Sequence, residues 1–326
     1  MSSVRKRAAK TVAVLLPAAA LAGLAAVTLA GQHPAPVSQP RRHAAAAAPS
    51  RLALPSHGFL LGAFEPGLPG PWAPVARFAS VAGAPVRLVL YYSNWREPFR
   101  YGFAKSAAAH GAAVLVQMQP WNVPLARIAA GRYDGYLRDY AREVRAFRRP
   151  VVIGFAHEMN GSWYPWGHGH QPPAAFVAAW RHIVTIFRGQ RATNVKWLWT
   201  VSSGVPPRRP LRSYWPGARY VSWAGIDGYY EQRGQGFGRV FGRTIQQVRA
   251  LTKDPILLSE TAIGQTAGQA RMMGDLFAGL RRDHLLGLVW FDAAQHGGPS
   301  RQDWRLEGHP AALAAFRHGV AQMGHS

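Results

Sequence analysis

The sequence predicts one catalytic-sized α/β domain, a (β/α)8 TIM barrel, over residues 58–326. Three observations lead there. About 269 residues follow an N-terminal segment that is no part of the fold, close to the roughly 250 of such a barrel. Eight short, almost continuously apolar runs recur along them. Helix-like stretches separate the runs, and no internal linker interrupts the series.

The runs are Phe59–Phe64 (FLLGAF), Val86–Tyr92 (VRLVLYY), Ala113–Gln119 (AVLVQMQ) and Val151–Ala156 (VVIGFA), then Val195–Val201 (VKWLWTV), Tyr220–Ile226 (YVSWAGI), Ile256–Ser259 (ILLS) and Leu286–Phe291 (LGLVWF). Hydrophobicity without alternation marks parallel strands buried on both faces. Of the helical stretches, Tyr136–Phe147 is the clearest: Tyr136, Leu137, Tyr140, Val144 and Phe147 share one face, with Arg and acidic residues opposite. Pro173–Phe187 and Ala267–Leu280 are further helices. A doubly wound sheet would carry a Gly-rich phosphate loop after its first strand, and none is present.

Residues 1–30 read as a signal peptide: Arg5, Lys6, Arg7 and Lys10 precede an uncharged apolar stretch from Val12 to Ala30, and Thr28-Leu29-Ala30 offers small residues for cleavage. An uncleaved signal anchor is the alternative, since the stretch is near the minimum length of a membrane span. Pro17 and the abundant Ala favour cleavage. Residues 31–57 are Pro- and Ala-rich and read as a linker. The chain is therefore expected to be exported.

The chain has no Cys, which excludes disulfides, a Cys nucleophile, thiolate zinc sites and iron–sulfur clusters. Its 38 Lys+Arg against 15 Asp+Glu give a formal charge of +23. Such a balance invites a polyanion. Export, and the lack of any nucleic-acid-binding motif, leave electrostatic association with an anionic cell envelope as the expectation, with no specific nucleic-acid partner. A monomer without cofactor is expected.

Barrel chemistry sits at the carboxyl ends of the strands. Glu65, Glu158, Asp227, Glu260 and Asp292 follow expected strands one, four, six, seven and eight, and Glu97 lies in the loop after strand two. Glu158 and Glu260 are 102 residues apart, or 34 per β/α unit over three units, so they face each other across the mouth. Facing carboxyls about 5–5.5 Å apart suit a retaining glycosidase. An ion pair with one of the many Arg residues is the alternative for each. The loop after strand four, His157-Glu158-Met159-Asn160-Gly161-Ser162-Trp163-Tyr164-Pro165-Trp166-Gly167, concentrates aromatic rings, which stack on sugar faces. Trp95, Trp121, Tyr229, Tyr230 and Trp290 stand at other strand ends.

These segments carry a resemblance. HEMNGSWYPWG is similar to the acid/base segment of glycoside hydrolase family 26, whose best-known members are β-1,4-mannanases. ILLSETAIG resembles that family's nucleophile strand, WAGIDGYY its strand-six segment, and LVWFD followed by DWRL its strand-eight segment. The resemblance implies Glu158 as general acid/base and Glu260 as nucleophile, and His157 bonded within the catalytic pair or to substrate. It also implies Tyr229 as the residue orienting Glu260, Trp163 and Trp290 as sugar platforms, and Asp227 at the site. Glu65 and Trp95 are expected at distal subsites. Mannan is the implied polysaccharide substrate, with mixed-linkage β-glucan or xylan next.

Two readings from other classes compete. His168-Gly169-His170 beside His157 suggests metal, but no H-E-x-x-H motif accompanies it. A non-catalytic glycan-binding barrel would keep the aromatic rings and need neither glutamate. A serine hydrolase lacks its G-x-S-x-G elbow.

Overall fold

The computed structural model of the chain describes residues 54, 58–205, 211–264, 267–294 and 302–323. The signal-peptide and linker expectations fall outside these, save for Leu54. Eight parallel strands form a closed barrel: β1 (Leu60–Phe64), β2 (Leu88–Asn94), β3 (Ala113–Gln119), β4 (Val151–Phe155), β5 (Val195–Ser202), β6 (Trp223–Tyr230), β7 (Ile256–Ile263) and β8 (Gly287–Phe291). Each pairs with the next, and β8 closes on β1 from Leu60↔Gly287 to Phe64↔Phe291.

The helices are α1 (Ala73–Ala82), α2 (Tyr101–Ala109), α3 (Leu125–Ala129), α4 (Asp134–Phe147), α5 (Pro173–Gly189), α6 (Arg243–Arg249), α7 (Gln269–Arg282) and α8 (Pro310–Met323). They are not spread one per crossover. The β3–β4 connection holds both α3 and α4, whereas β5 and β6 are joined, among the described residues, by two short 3₁₀ turns, Leu211–Tyr214 and Ala218–Tyr220. Among the described residues no helix is long and apolar enough to cross a membrane.

Two apolar layers explain the runs without alternation. Leu60, Leu88, Leu90, Leu115, Val152, Leu198, Trp223, Leu257 and Val289 fill the barrel interior. The neighbouring positions on the same strands, such as Val89, Val114, Ile153, Trp199 and Leu288, pack outward against the helices. Both faces of each strand are thus removed from water, at about 1.5–3 kcal/mol per large side chain. Helix α4 buries Leu137, Tyr140, Ala141, Val144 and Phe147, the face its periodicity predicts.

Strands β6 and β7 run further than their apolar patterns suggest. Expected to stop at Ile226 and Ser259, they continue to Tyr230 and Ile263. Asp227, Tyr229 and Glu260 therefore lie within strands, where the ladder fixes them, rather than in loops.

Candidate active site

The floor of the mouth is polar. Ser259 donates to Asp227 Oδ1 (2.6 Å) and approaches Thr200 Oγ1 (3.5 Å), and Gln117 donates to the same Thr200 oxygen (3.2 Å). Gly225 makes room for this layer: a Cβ there would lie 2.5 Å from both Ser259 Oγ and Thr200 Oγ1.

Above it stands Glu260. Alternation would send either Ser259 or Glu260 outward, yet both belong to the inner face. The register of β7 shifts between Leu258 and Thr261 against β8, and that of β6 shifts between Gly225 and Asp227, which pairs Asp227 with Glu260. Such bulges re-aim side chains. Glu260 then receives two phenol protons, from Tyr92 (2.5 Å to Oε1) and Tyr229 (2.8 Å to Oε2).

Glu158 sits one turn of chain beyond β4. It has φ +54° and Ala156 has φ +49°, left-handed values that non-glycine residues adopt at a cost. The Glu158 amide donates to Thr200 O (3.0 Å), and Asn160 clasps Ser202 through both its amide nitrogen (2.8 Å) and oxygen (2.9 Å). Trp163, about half exposed, donates its indole N–H to Glu158 Oε2 (2.6 Å). Gly161 lies under that indole, where a Cβ would approach the ring to 2.4 Å.

Among the described residues neither glutamate has an Arg or Lys ion pair, so the alternative reading of a simple surface salt bridge does not describe them. Both line a groove of about 760 Å³, together with Tyr92, Trp121, Trp163, Tyr229 and Trp304.

The electrostatics separate the carboxyls. Burial, reinforced by the Glu260 charge, pushes Glu158 up to about 8, so it holds its proton at neutral pH. Burial also raises Glu260, but the Tyr92 and Tyr229 phenols oppose it, stabilising the carboxylate. Asp227 is raised well above its usual range by burial and then by the charges of Glu260 and Glu158; its Oδ2 has no donor. Of the three carboxyls, Glu260 is the one built to carry charge.

The sequence-predicted residues divide. Glu158, Glu260, Trp163 and Tyr229 meet in the groove, and Trp121 lines it as well. His157 does not: it is buried, its Nε2 faces the Tyr164 hydroxyl (3.3 Å), its Nδ1 has no partner, and burial lowers it to about 3, leaving it neutral. It packs beneath the site and touches no carboxyl of the pair. Asp227 is likewise fully buried, pairs with Glu260 across β6 and β7, and does not line the groove.

Trp290 is a correction. On β8, Val289 points inward, so Trp290 points outward, onto Phe316 of α8, with no exposed surface. Its indole holds Trp304 O (3.0 Å), and Trp304 lines the groove instead. Trp95 is also displaced from any subsite: it packs against Tyr133, Tyr136 and Phe155 in the outer layer. Tyr230 turns outward onto Phe241. Glu65 is buried beside Asp292 and 3.9 Å from Arg77, away from the groove. His168 faces Tyr214 (3.2 Å) and His170 faces Ser162 O (3.0 Å), in separate pairings.

Tyr92, Trp304 and Phe291 line the groove without having been singled out. Strand parity carries a signal for Tyr92 and Phe291: Leu88, Leu90 and Tyr92 share a face, as do Val289 and Phe291.

Paired carboxyls at the carboxyl-terminal mouth, ringed by indoles, place this protein among the barrels whose chemistry lies at that face. The middle of the chain is similar to glycosyl hydrolase family 26. The profile of that family matches residues 132–259, which includes Glu158, Asp227 and Tyr229. The chain is 29% identical over 263 residues to endoglucanase H of Acetivibrio thermocellus, covering 76% of this chain and 29% of the relative. It is 26% identical over 165 residues to the β-1,3-xylanase TXYA of a Vibrio species, covering 50% of this chain and 34% of the relative. The chain thus spans well under two thirds of either. The fold is similar to that of a family 26 β-mannanase from Bacteroides ovatus, with a TM-score of 0.60 at 17% identity, covering 82% of this chain and 89% of that one.

Proposed function

We propose that this chain is a secreted, retaining endo-glycoside hydrolase that cleaves a β-linked polysaccharide, β-1,4-mannan first among the candidates. One observation carries the reading: two carboxyls share one groove with different surroundings, burial raising Glu158 to about 8 while two phenols donate to Glu260 and oppose the upward push of its burial. Glu260 attacks the anomeric carbon while Glu158 protonates the departing glycosidic oxygen. Glu158, now ionised, takes a proton from the water that releases the glycosyl-enzyme. Trp163 and Trp121, both exposed, offer ring faces to the sugars. A β-glucan is the second reading, favoured because the endoglucanase H match extends over most of this chain. Secretion rests on the basic and apolar pattern of residues 5–30. The charge of +23 suits loose attachment to an anionic envelope.

The test is a panel of mannan, mixed-linkage glucan, xylan and cellulose, assayed for new reducing ends across pH. Activity is expected on one of the first two. Its pH profile is expected to be a bell, because Glu260 must be ionised and Glu158 protonated: kcat falls on the acid side as Glu260 takes a proton, and on the alkaline side near pH 8 as Glu158 loses one. Binding to mannan or glucan without cleavage at any pH would favour the glycan-binding rival.

A further inference from the structure

No Asp or Glu occurs between Glu143 and Glu158, or between Glu158 and Asp227, and these stretches carry Arg145, Arg148, Arg188, Arg191, Lys196 and Arg219. The barrel brings all six to its amino-terminal end, opposite the mouth. Arg145 and Arg148 stand in the last turn of α4 and at its cap, Arg188 and Arg191 in the last turn of α5 and just past it. Lys196 begins β5, and Arg219 lies in the 3₁₀ turn that leads into β6. Hydrogen bonds tie these places together: Arg145 donates to Gln190 O (3.2 Å), Arg188 to Arg219 O (2.5 Å), and the Asn194 amide, at the entry to β5, to Val144 O and Arg149 O (2.8 Å each). All six cations are exposed. Among the described residues none of them pairs with a carboxylate. Glu143, the acid just before them, is turned to the Phe99 amide (3.0 Å). Helix C-termini attract cations, which accounts for Arg145 and Arg188. It does not account for Lys196 on a strand or Arg219 outside the long helices. Arg148 (φ +58°) and Arg191 (φ +57°) also occupy left-handed positions that Gly or Asn fills at less cost, so folding alone does not call for arginine there.

We propose that this acid-free face, built from the ends of α4 and α5 and the entries to β5 and β6, docks on the surface of an anionic phospholipid bilayer and holds the barrel with its mouth turned away from the membrane. The proposal gives the envelope attachment suggested by total charge a place and an orientation. It rests on that reading for its choice of partner, and not on the glycosidase reading. The six side chains are exposed and come from separate elements, so they suit an extended array of phosphates rather than one enclosed anion. Five of the six are guanidinium groups, whose planar fork matches phosphate oxygens. A bilayer fits better than a soluble polyanion because the chain enters the barrel at this same end. Gly58 and Phe59 lead into β1, and the apolar stretch Val12–Ala30, read above as a signal or an anchor, lies upstream of that entry. Glu158 and Glu260 stand at the opposite ends of their strands, so a barrel docked by this face keeps its groove open to polymer.

The test is co-sedimentation of the full chain with vesicles of phosphatidylcholine, with and without about one third phosphatidylglycerol. Two variants carry the same loss of charge. The face variant combines Arg148→Gln, Arg191→Gln, Lys196→Gln and Arg219→Gln, whose side chains make no hydrogen bond among the described residues, so thermal unfolding should match that of the wild type. The control combines Arg127→Gln, Arg132→Gln, Arg243→Gln and Arg271→Gln, exposed positions on α3, before α4, and at the starts of α6 and α7. Wild type should bind the anionic vesicles, and binding should fall steeply as salt rises above about 0.1 M. A basic residue near an anionic surface contributes about five-fold, so the face variant should bind at least about a hundred-fold more weakly. The control should lose far less. Equal losses in both variants would show that the charge acts as a whole and overturn the face. Equal, salt-independent binding to pure phosphatidylcholine would show insertion of an apolar segment and overturn the docking. If the face variant loses binding to soluble polyphosphate and keeps binding to the vesicles, the occupant is a soluble polyanion and the bilayer proposal fails. A protein inert on every polysaccharide with these binding results intact would overturn the glycosidase reading alone.

Discussion

Glu260→Gln is expected to lower kcat on polysaccharide by about four orders of magnitude or more, the scale on which loss of a nucleophile is felt. The amide keeps the volume and accepts from Tyr92 or Tyr229, so thermal unfolding should stay near that of the wild type. Glu158→Gln should cost about 10²–10⁴-fold on the same polymer, the usual contribution of a general acid. The two variants should part company on aryl glycosides with activated leaving groups. Such substrates need little protonation, so Glu158→Gln should retain bond cleavage and stall at the glycosyl-enzyme, releasing a burst of phenol, whereas Glu260→Gln should remain inactive. Near wild-type turnover of natural polymer by either variant would remove that residue from the proposed mechanism.

Tyr92→Phe should have the next largest effect. The phenol is one of two donors that oppose the upward push burial gives Glu260. Without it, only Tyr229 opposes desolvation, and Glu260 binds its proton more tightly. The acid limb of the pH profile should move to higher pH, and kcat at the optimum should fall about ten- to hundred-fold, since a preorganised donor at a charged reacting group acts in a site with little water. Tyr229→Phe should move the limb in the same direction and also loosen the packing of Trp304. An acid limb that stays in place in both variants would show that the phenols do not set the charge on Glu260.

The barrel was legible because burial on both strand faces writes itself as unbroken apolar runs, and the order of those runs fixes which strand ends face each other. Glu158 and Glu260 could be placed by counting β/α units for the same reason. Side-chain direction was harder to read. Trp290 and Phe291 are adjacent aromatics at one strand end, and only their parity with Val289 tells which faces the groove. An unalternating sequence hides that parity. In β7 a bulge breaks parity itself, turning both Ser259 and Glu260 inward. Tyr92 is concealed in an apolar run, where a tyrosine looks like packing until the barrel closes and brings its hydroxyl 168 positions along the chain to Glu260. His157 and Asp227 flank the site in sequence and lie beneath it in space, since the tight left-handed turn at Glu158 and the β6 ladder leave them no path to the groove.

The central claim, that Glu158 and Glu260 act as an acid/base and a nucleophile on one glycosidic bond, is tested most directly by the stereochemistry of the first product. A nucleophile forms a covalent intermediate and the second inversion restores the configuration, whereas a pair acting on water directly inverts once and needs about 6.5–9.5 Å between carboxyls to hold it. Proton NMR of the nascent reducing end, recorded within minutes of mixing the protein with the polysaccharide it cleaves, should show the β anomer first, with the α anomer growing only as mutarotation proceeds. The α anomer appearing first would mean single displacement, and would contradict the assignment of Glu260 as nucleophile.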